Sequence, residues 1–146
     1  MYNLKVWNSF GVIKSYKSEG ECTIEINFHD STIHHEIIMD NSSTNYTIGD
    51  INAEFIALAS KRNSNKESEL YVHHVTSWDH ESRKWNQQMD PGEVIECLCL
   101  GQQFIAIYTT LRYLRIFTPS GTQRYVISLP GFSTIGNIFI KKTKKY

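Results

Sequence analysis

Six histidines, three cysteines and a lysine-rich end are the side chains of this sequence best suited to chemistry. His29, Asp30, His34 and His35 lie close together, and His73, His74 and His80 form a second group. Imidazoles beside a carboxylate suggest a metal-dependent hydrolase built on His29, Asp30, His34 and His80. Adjacent histidines on an extended strand point to opposite faces, so neither His34-His35 nor His73-His74 can chelate one ion as a pair. A site would need His29 or Asp30 to converge with one of His34 and His35, and it would lack a fourth ligand. Surface and turn hydrogen bonding is the expected role of these histidines, and no metal site is predicted.

Cys97 and Cys99 stand at i and i+2 of one strand and share a face, but no second cysteine pair exists to complete a zinc site. Free cysteines are among the most buried residue types, so core packing is their expected role. Gly-x-Gly-x-x-Gly and Gly-x-Ser-x-Gly are both absent, and the acidic residues are scattered singly. Ser9, Ser77 and Ser128 fit turns or strands and have no reason to be nucleophiles. No catalytic residue and no cofactor is therefore predicted, and the chain is expected not to be an enzyme. Residues 141–146, Lys-Lys-Thr-Lys-Lys-Tyr, form a basic tail that a DNA phosphate could attract, though a solvated end is the simpler role. Arg112 and Arg115 flank Tyr113 and are expected on the exposed side of one strand.

Composition narrows the class further. The 15 basic and 15 acidic residues cancel, which gives no global attraction to nucleic acid or to a membrane surface. The first residues lack the apolar run of a signal peptide, and no window approaches the ~20 apolar residues that span a bilayer. Cys22 with Cys97 and Cys99 makes an odd count without disulfide-framework spacing, which favours a reducing compartment. The sequons at Asn41 and Asn45 would matter only on a secretory route. A soluble intracellular chain is expected, and 146 residues suffice for one domain with its own core.

The elements that must position these residues are strands. No window of 12 or more residues has helical periodicity, whereas aromatic and β-branched runs recur throughout. Residues 4–7 and 12–16 flank Asn8-Ser-Phe-Gly11 as a hairpin, and Ile24, Ile26 and Phe28 alternate so as to share one face. A further strand is expected over 33–39, followed by the polar loop 40–45. Residues 93–131 then form one complete antiparallel unit, with strands over 94–100, 104–108, 111–117 and 124–129. Residues 46–92 lay out the same way, with strands near 46–51, over 54–60 and 70–78, and an outer strand over 84–89. Phe55-Ile-Ala-Leu-Ala59 falls where Phe104-Ile-Ala-Ile-Tyr108 falls, an offset of 49 residues. That is close to the repeat length of a β-propeller blade of ~40–50 residues. An Ile/Ala-rich second strand suits packing between neighbouring blades on both faces. Trp78-Asp79 is expected to close the third strand of its blade, the position of the dipeptide that gives WD repeats their name. The predicted fold class is all-β, a partial β-propeller of about three WD40-like four-stranded blades over 1–140, with the tail at 141–146. A β-sandwich of seven or eight strands is the main rival. An open ring exposes strand edges, so self-association is expected.

Several blocks then acquire an identity. They are Val6-Trp-Asn-Ser-Phe-Gly-Val-Ile13, Ile26-Asn-Phe-His-Asp-Ser-Thr-Ile-His-His35, Asn45-Tyr-Thr-Ile-Gly-Asp-Ile51, and Trp78-Asp79 followed by Trp85. Glu96-Cys-Leu-Cys-Leu-Gly-Gln102, Leu114-Arg-Ile-Phe-Thr-Pro-Ser-Gly-Thr-Gln123 and Ser128-Leu-Pro-Gly131 follow in the same order. Together they resemble the second β-propeller of the WD-repeat and HMG-box DNA-binding protein family, the chromosome transmission fidelity replisome adaptors. The resemblance covers residues 4–131. It implies a non-enzymatic nuclear scaffold that links the replicative helicase to DNA polymerase alpha, trimerises through this propeller and serves cohesion, with DNA or chromatin association and no membrane. The family's first WD propeller, helical bundle and HMG box have no counterpart here, so peptide capture and HMG-type DNA binding are not carried over. About half of a ring is expected. A WD-type interaction module of another pathway is the alternative.

Overall fold

Twelve strands account for all the regular structure of the described residues, 4–79 and 83–130, in this computed structural model. They form three four-stranded antiparallel sheets, each a meander in chain order. The first holds β1 (Lys5–Trp7), β2 (Gly11–Ser18), β3 (Glu21–Phe28) and β4 (Ile37–Asp40). The second holds β5 (Tyr46–Ile51), β6 (Phe55–Ser60), β7 (Glu69–His74) and β8 (Lys84–Gln88). The third holds β9 (Ile95–Leu100), β10 (Ile105–Thr109), β11 (Tyr113–Phe117) and β12 (Gln123–Ser128). Three local meanders laid side by side are blades of a WD40-like propeller, not the two facing sheets of a sandwich. They do not close into a barrel.

The second blade lies between the other two. Its β5 packs on β1 and β2 on one side, and β9 packs on β5 and β6 on the other. All six residues of β6 are consequently buried. Ile56 and Leu58 join Ile13, Ile24, Ile26 and Phe28 in the cluster shared with the first blade. Phe55, Ala57 and Ala59 join Leu98, Leu100, Ile105 and Ile107 in the cluster shared with the third. Small alanines meet large isoleucines, which lets the two sheets approach closely. Each fully buried Ile or Leu is worth about 1.5–3 kcal/mol, so these two seams carry the hydrophobic stability of the assembly.

One turn recurs in all three blades between the first and second strands. The N–H of Asn8 donates to the Gly11 carbonyl at 3.1 Å, that of Asn52 to Phe55 at 3.0 Å, and that of Gly101 to Phe104 at 2.8 Å. In the first two, the asparagine Oδ1 also accepts the N–H groups two and three residues on, from Phe10 and Gly11 and from Glu54 and Phe55. This is the asparagine turn chemistry that replaces backbone partners with a side-chain oxygen.

Three local readings are corrected. The strand expected over 33–39 begins only at Ile37. Asp30 holds a tight turn before it: its Oδ1 accepts from the Thr32 N–H at 3.0 Å and hydroxyl at 2.6 Å, while the Ile33 N–H donates to the Asp30 carbonyl at 3.1 Å. The strand expected over 70–78 stops at His74, where the Ser77 N–H turns back to the His74 carbonyl. Trp78 therefore lies beyond the strand, 97% exposed, and the Trp-Asp pair does not close the third strand. Within 94–100 the register slips between Tyr108 and Thr109, so that Ile95 faces Thr109 and Glu96 is skipped. That bulge puts Ile95 on the core face with Leu98 and turns Glu96 out to solvent. His80, residues 132–140 and the tail 141–146 lie outside the described residues.

Candidate protein-interaction surface

Among the described residues the sequence-selected histidines do not gather at one point. His29 Nε2 sits 2.9 Å from the Asn8 carbonyl oxygen in a turn, and His34 Nδ1 sits 2.8 Å from the His35 carbonyl. His74 stacks on Phe55 with ring centroids 4.3 Å apart and lies 3.1 Å from the Thr76 hydroxyl. His73 is buried and approaches His34, with centroids 6.1 Å apart. Among the described residues no three His, Cys, Asp or Glu side chains gather as metal ligands. Cys97 and Cys99 are half-buried on the face of the third blade turned away from the second. Burial, and then the charge of Glu96, push the Cys97 thiol up and keep it protonated.

Arg115 is not the exposed residue that was expected. Its guanidinium is 13% exposed and grips Glu93, whose side chain is wholly buried. Nε and Nη2 donate to the two Glu93 oxygens at 2.8 Å each, the Thr109 hydroxyl adds a third bond at 2.7 Å, and Asp90 lies 3.5 Å from Nη2. Burial alone would raise the Glu93 carboxyl, but the bonds from Arg115 and Thr109 outweigh it and hold the group below its ordinary value. Arg112 lies in the turn before β11 with a left-handed backbone, φ 64°. Nothing in the spacing of Glu93 and Arg115 announced this pair, because β10 must pair with both β9 and β11 to bring them together.

Polar side chains stitch the blades at the turn end. Asn8 Nδ2 donates across the first seam to the Ile51 carbonyl at 2.8 Å and to Asp50 at 3.4 Å. Asp50 in turn accepts the Leu100 N–H of the third blade at 2.8 Å and its neighbour Ile51 N–H at 2.9 Å, so one carboxylate reaches all three blades. Asn52 Nδ2 repeats the Asn8 reach one blade later, donating to the Gly101 carbonyl at 3.3 Å. The equivalent residue of the third blade is Gly101, where a Cβ would run into the Phe104 ring. Deeper in the second seam the Ile95 N–H donates to the Ser68 hydroxyl at 3.0 Å, which donates to the Ser60 carbonyl at 2.6 Å. Trp85 closes the outer side: its Nε1 donates to the Pro119 carbonyl at 2.8 Å and its ring packs on Phe117. Gly121, at φ +101°, presents its bare backbone to that ring, and a Cβ there would stand 3.1 Å from it.

The same turns enclose a hollow of about 590 Å³ lined by Phe10, Glu54, Phe55, His74, Gln102 and Pro119, among others. Each blade contributes to it. An aromatic floor with amide and carboxylate groups at the rim suits a side chain presented by a protein partner. Sequence reading singled out Phe10 and the Leu-Gly-Gln block, yet it did not show that they meet.

The family model described as Minichromosome loss protein, Mcl1, middle region, matches residues 5–137. WD repeat and HMG-box DNA-binding protein 1 of Xenopus laevis is 40% identical over 131 residues, covering 90% of this chain and 11% of that protein. Its counterpart in Homo sapiens is 40% identical over 130 residues, with 89% and 11% covered. Protein ENHANCER OF LHP1 1 of Arabidopsis thaliana is 26% identical over 126 residues, with 86% and 13% covered. The chain thus spans about a tenth of the length of these curated relatives.

Proposed function

The chain belongs to the family of the Mcl1 middle region, and from that premise we propose that its blades are a contact module in a non-enzymatic scaffold of the DNA replication machinery. The match over 5–137 is the observation that carries this reading. Relatives at 40% identity are named for WD repeats and for binding DNA, which points to a protein that works on chromosomes in the nucleus. Blades held together by side chains at their turns, with an aromatic hollow shared by all three, support a role in holding partners. In this reading the partners are the replicative helicase and DNA polymerase alpha, and the assembled scaffold is a trimer that associates with chromatin.

The test is retention from nuclear extract on the immobilised chain, quantified for helicase subunits and for DNA polymerase alpha. Both should be enriched over an unrelated WD-repeat protein, and Phe10→Ala with Gln102→Ala should reduce that enrichment while the circular dichroism spectrum stays unchanged. Enrichment of neither, or retention untouched by the double substitution, would overturn the assignment to this surface. Sedimentation of the same chain addresses self-association: a concentration-dependent shift beyond the 16.9 kDa monomer is expected.

A further inference from the structure

A second cavity, of about 420 Å³, opens on the seam between the first two blades, away from the turn-end hollow. It is lined by His34, Glu36, Ile37 and Ile38 of the first blade and by His73, Arg83 and Lys84 of the second. His73 lies at its base, only 6% exposed, and its Nε2 is buried without a hydrogen-bond partner. A buried polar atom left unpaired is costly, so a native fold that keeps one calls for an explanation. Lys84 is the cross-strand partner of His73 in the β7–β8 ladder, which puts both side chains on one face. Arg83 spends Nε and Nη2 on the Ser77 carbonyl, at 3.3 and 2.9 Å, a grip that fixes its fork. Neither cation has a carboxylate partner among the described residues. Glu36 lines the first-blade side of the cavity.

We infer that this cavity is an oxyanion-binding site for an acidic side chain, carboxylate or phosphate ester, presented by a protein partner. The unpaired Nε2 of His73 supplies an N–H donor at the base, and Lys84 and Arg83 supply charge at the mouth. Burial, then the positive fields of Lys84, His34, Arg83 and His74, hold His73 neutral down to about 4, so its ring offers a neutral donor while the charge sits at the rim. Ile37, half-buried, and Ile38, exposed, wall one side. A single slot with two cations on a chain of zero net charge suits one anion on a peptide, since a nucleic-acid backbone needs a basic stripe. The site stands independently of the replication reading.

The test follows the imidazole nitrogens of His73 by long-range ¹H–¹⁵N NMR on the full chain. Two capped tripeptides serve as probes, glycine–aspartate–glycine and glycine–phosphoserine–glycine, with a short single-stranded DNA alongside. One or both peptides should shift His73 saturably at millimolar concentration, and the stronger of the two identifies the anion. Lys84→Gln, an exposed position with no structural bond, should weaken that response about fivefold, and Lys84→Gln with Arg83→Gln should abolish it. Lys17→Gln, exposed near the β2–β3 turn and outside the cavity lining, should leave it intact. An unmoved His73, a shift undiminished in the double variant, or a stronger response to DNA than to either peptide would overturn the proposal.

Discussion

Replacing Glu93 with glutamine removes one negative charge and almost no volume, so it isolates the electrostatics of the third blade. The buried carboxylate takes three short bonds, two from Arg115 and one from the Thr109 hydroxyl. Breaking a buried ion pair from one side costs about 3–5 kcal/mol, because the remaining charge is stranded. Arg115 would not be fully stranded here, since Asp90 lies 3.5 Å away and Gln123 accepts from Nη1 at 3.0 Å. The glutamine amide keeps one acceptor but turns an NH₂ toward the guanidinium. The expected loss is therefore near the low end, about 3 kcal/mol, read from urea unfolding at pH 7. The pH dependence has a definite sign. Glu93 is held below its ordinary value of 4.5, so its stabilisation is complete above that value and fades as pH falls through the folded value. The gap between native and Glu93→Gln chains should thus shrink in acid. Glu93→Gln with Arg115→Met should recover part of the loss at neutral pH, because no charge is then left buried. A single-substitution loss under ~1 kcal/mol, or a gap unchanged between pH 7 and pH 3, would refute this account of the pair.

Three further outcomes follow from other parts of the fold. Asp50→Ala orphans the Leu100 N–H and unlinks three blades at once; it should cost about 1–3 kcal/mol, and hydrogen exchange should accelerate at Leu100 and Ile51 more than at Ile24. Gly121→Ala must adopt φ +101° with its Cβ against Trp85, so a loss of about 1–3 kcal/mol and a changed Trp85 emission spectrum are expected. The Cys97 thiol is pushed above its ordinary value of 9.0, so alkylation at neutral pH should be slower in the folded chain than in urea, and equal rates would contradict its burial.

Much of the architecture was legible because blade formation is local. Ile24, Ile26 and Phe28 alternate in sequence and are all buried on one face of β3. The Ile/Ala pattern of Phe55–Ser60 announced a strand packed on both sides, and β6 is buried throughout. Errors arose where a hydrogen bond overrules apolar content. Ile33 is apolar, but Asp30 locks the preceding turn; Val75 is apolar, but its N–H is taken by the Glu54 carbonyl as the chain leaves the ladder. The bulge at Glu96 was invisible because it depends on a neighbour's register. The Glu93–Arg115 pair and the cavity at His73 join residues distant in sequence, and no spacing rule connects them.

The side-chain links at the turn end join each blade to the next along the chain. Asn8 grips a carbonyl 43 residues later, Asn52 one 49 residues later, and Asp50 an N–H 50 residues later. For a polypeptide emerging from the ribosome this imposes an order of events. A blade can form its own hairpins as soon as it is made, but it is locked only when the first strand of its successor has been laid beside it. Folding should therefore advance as a ratchet from the first blade toward the third. A pause in synthesis between Ser60 and Ile95 would leave β6 with one apolar face wet and, in that interval, open to the wrong neighbour.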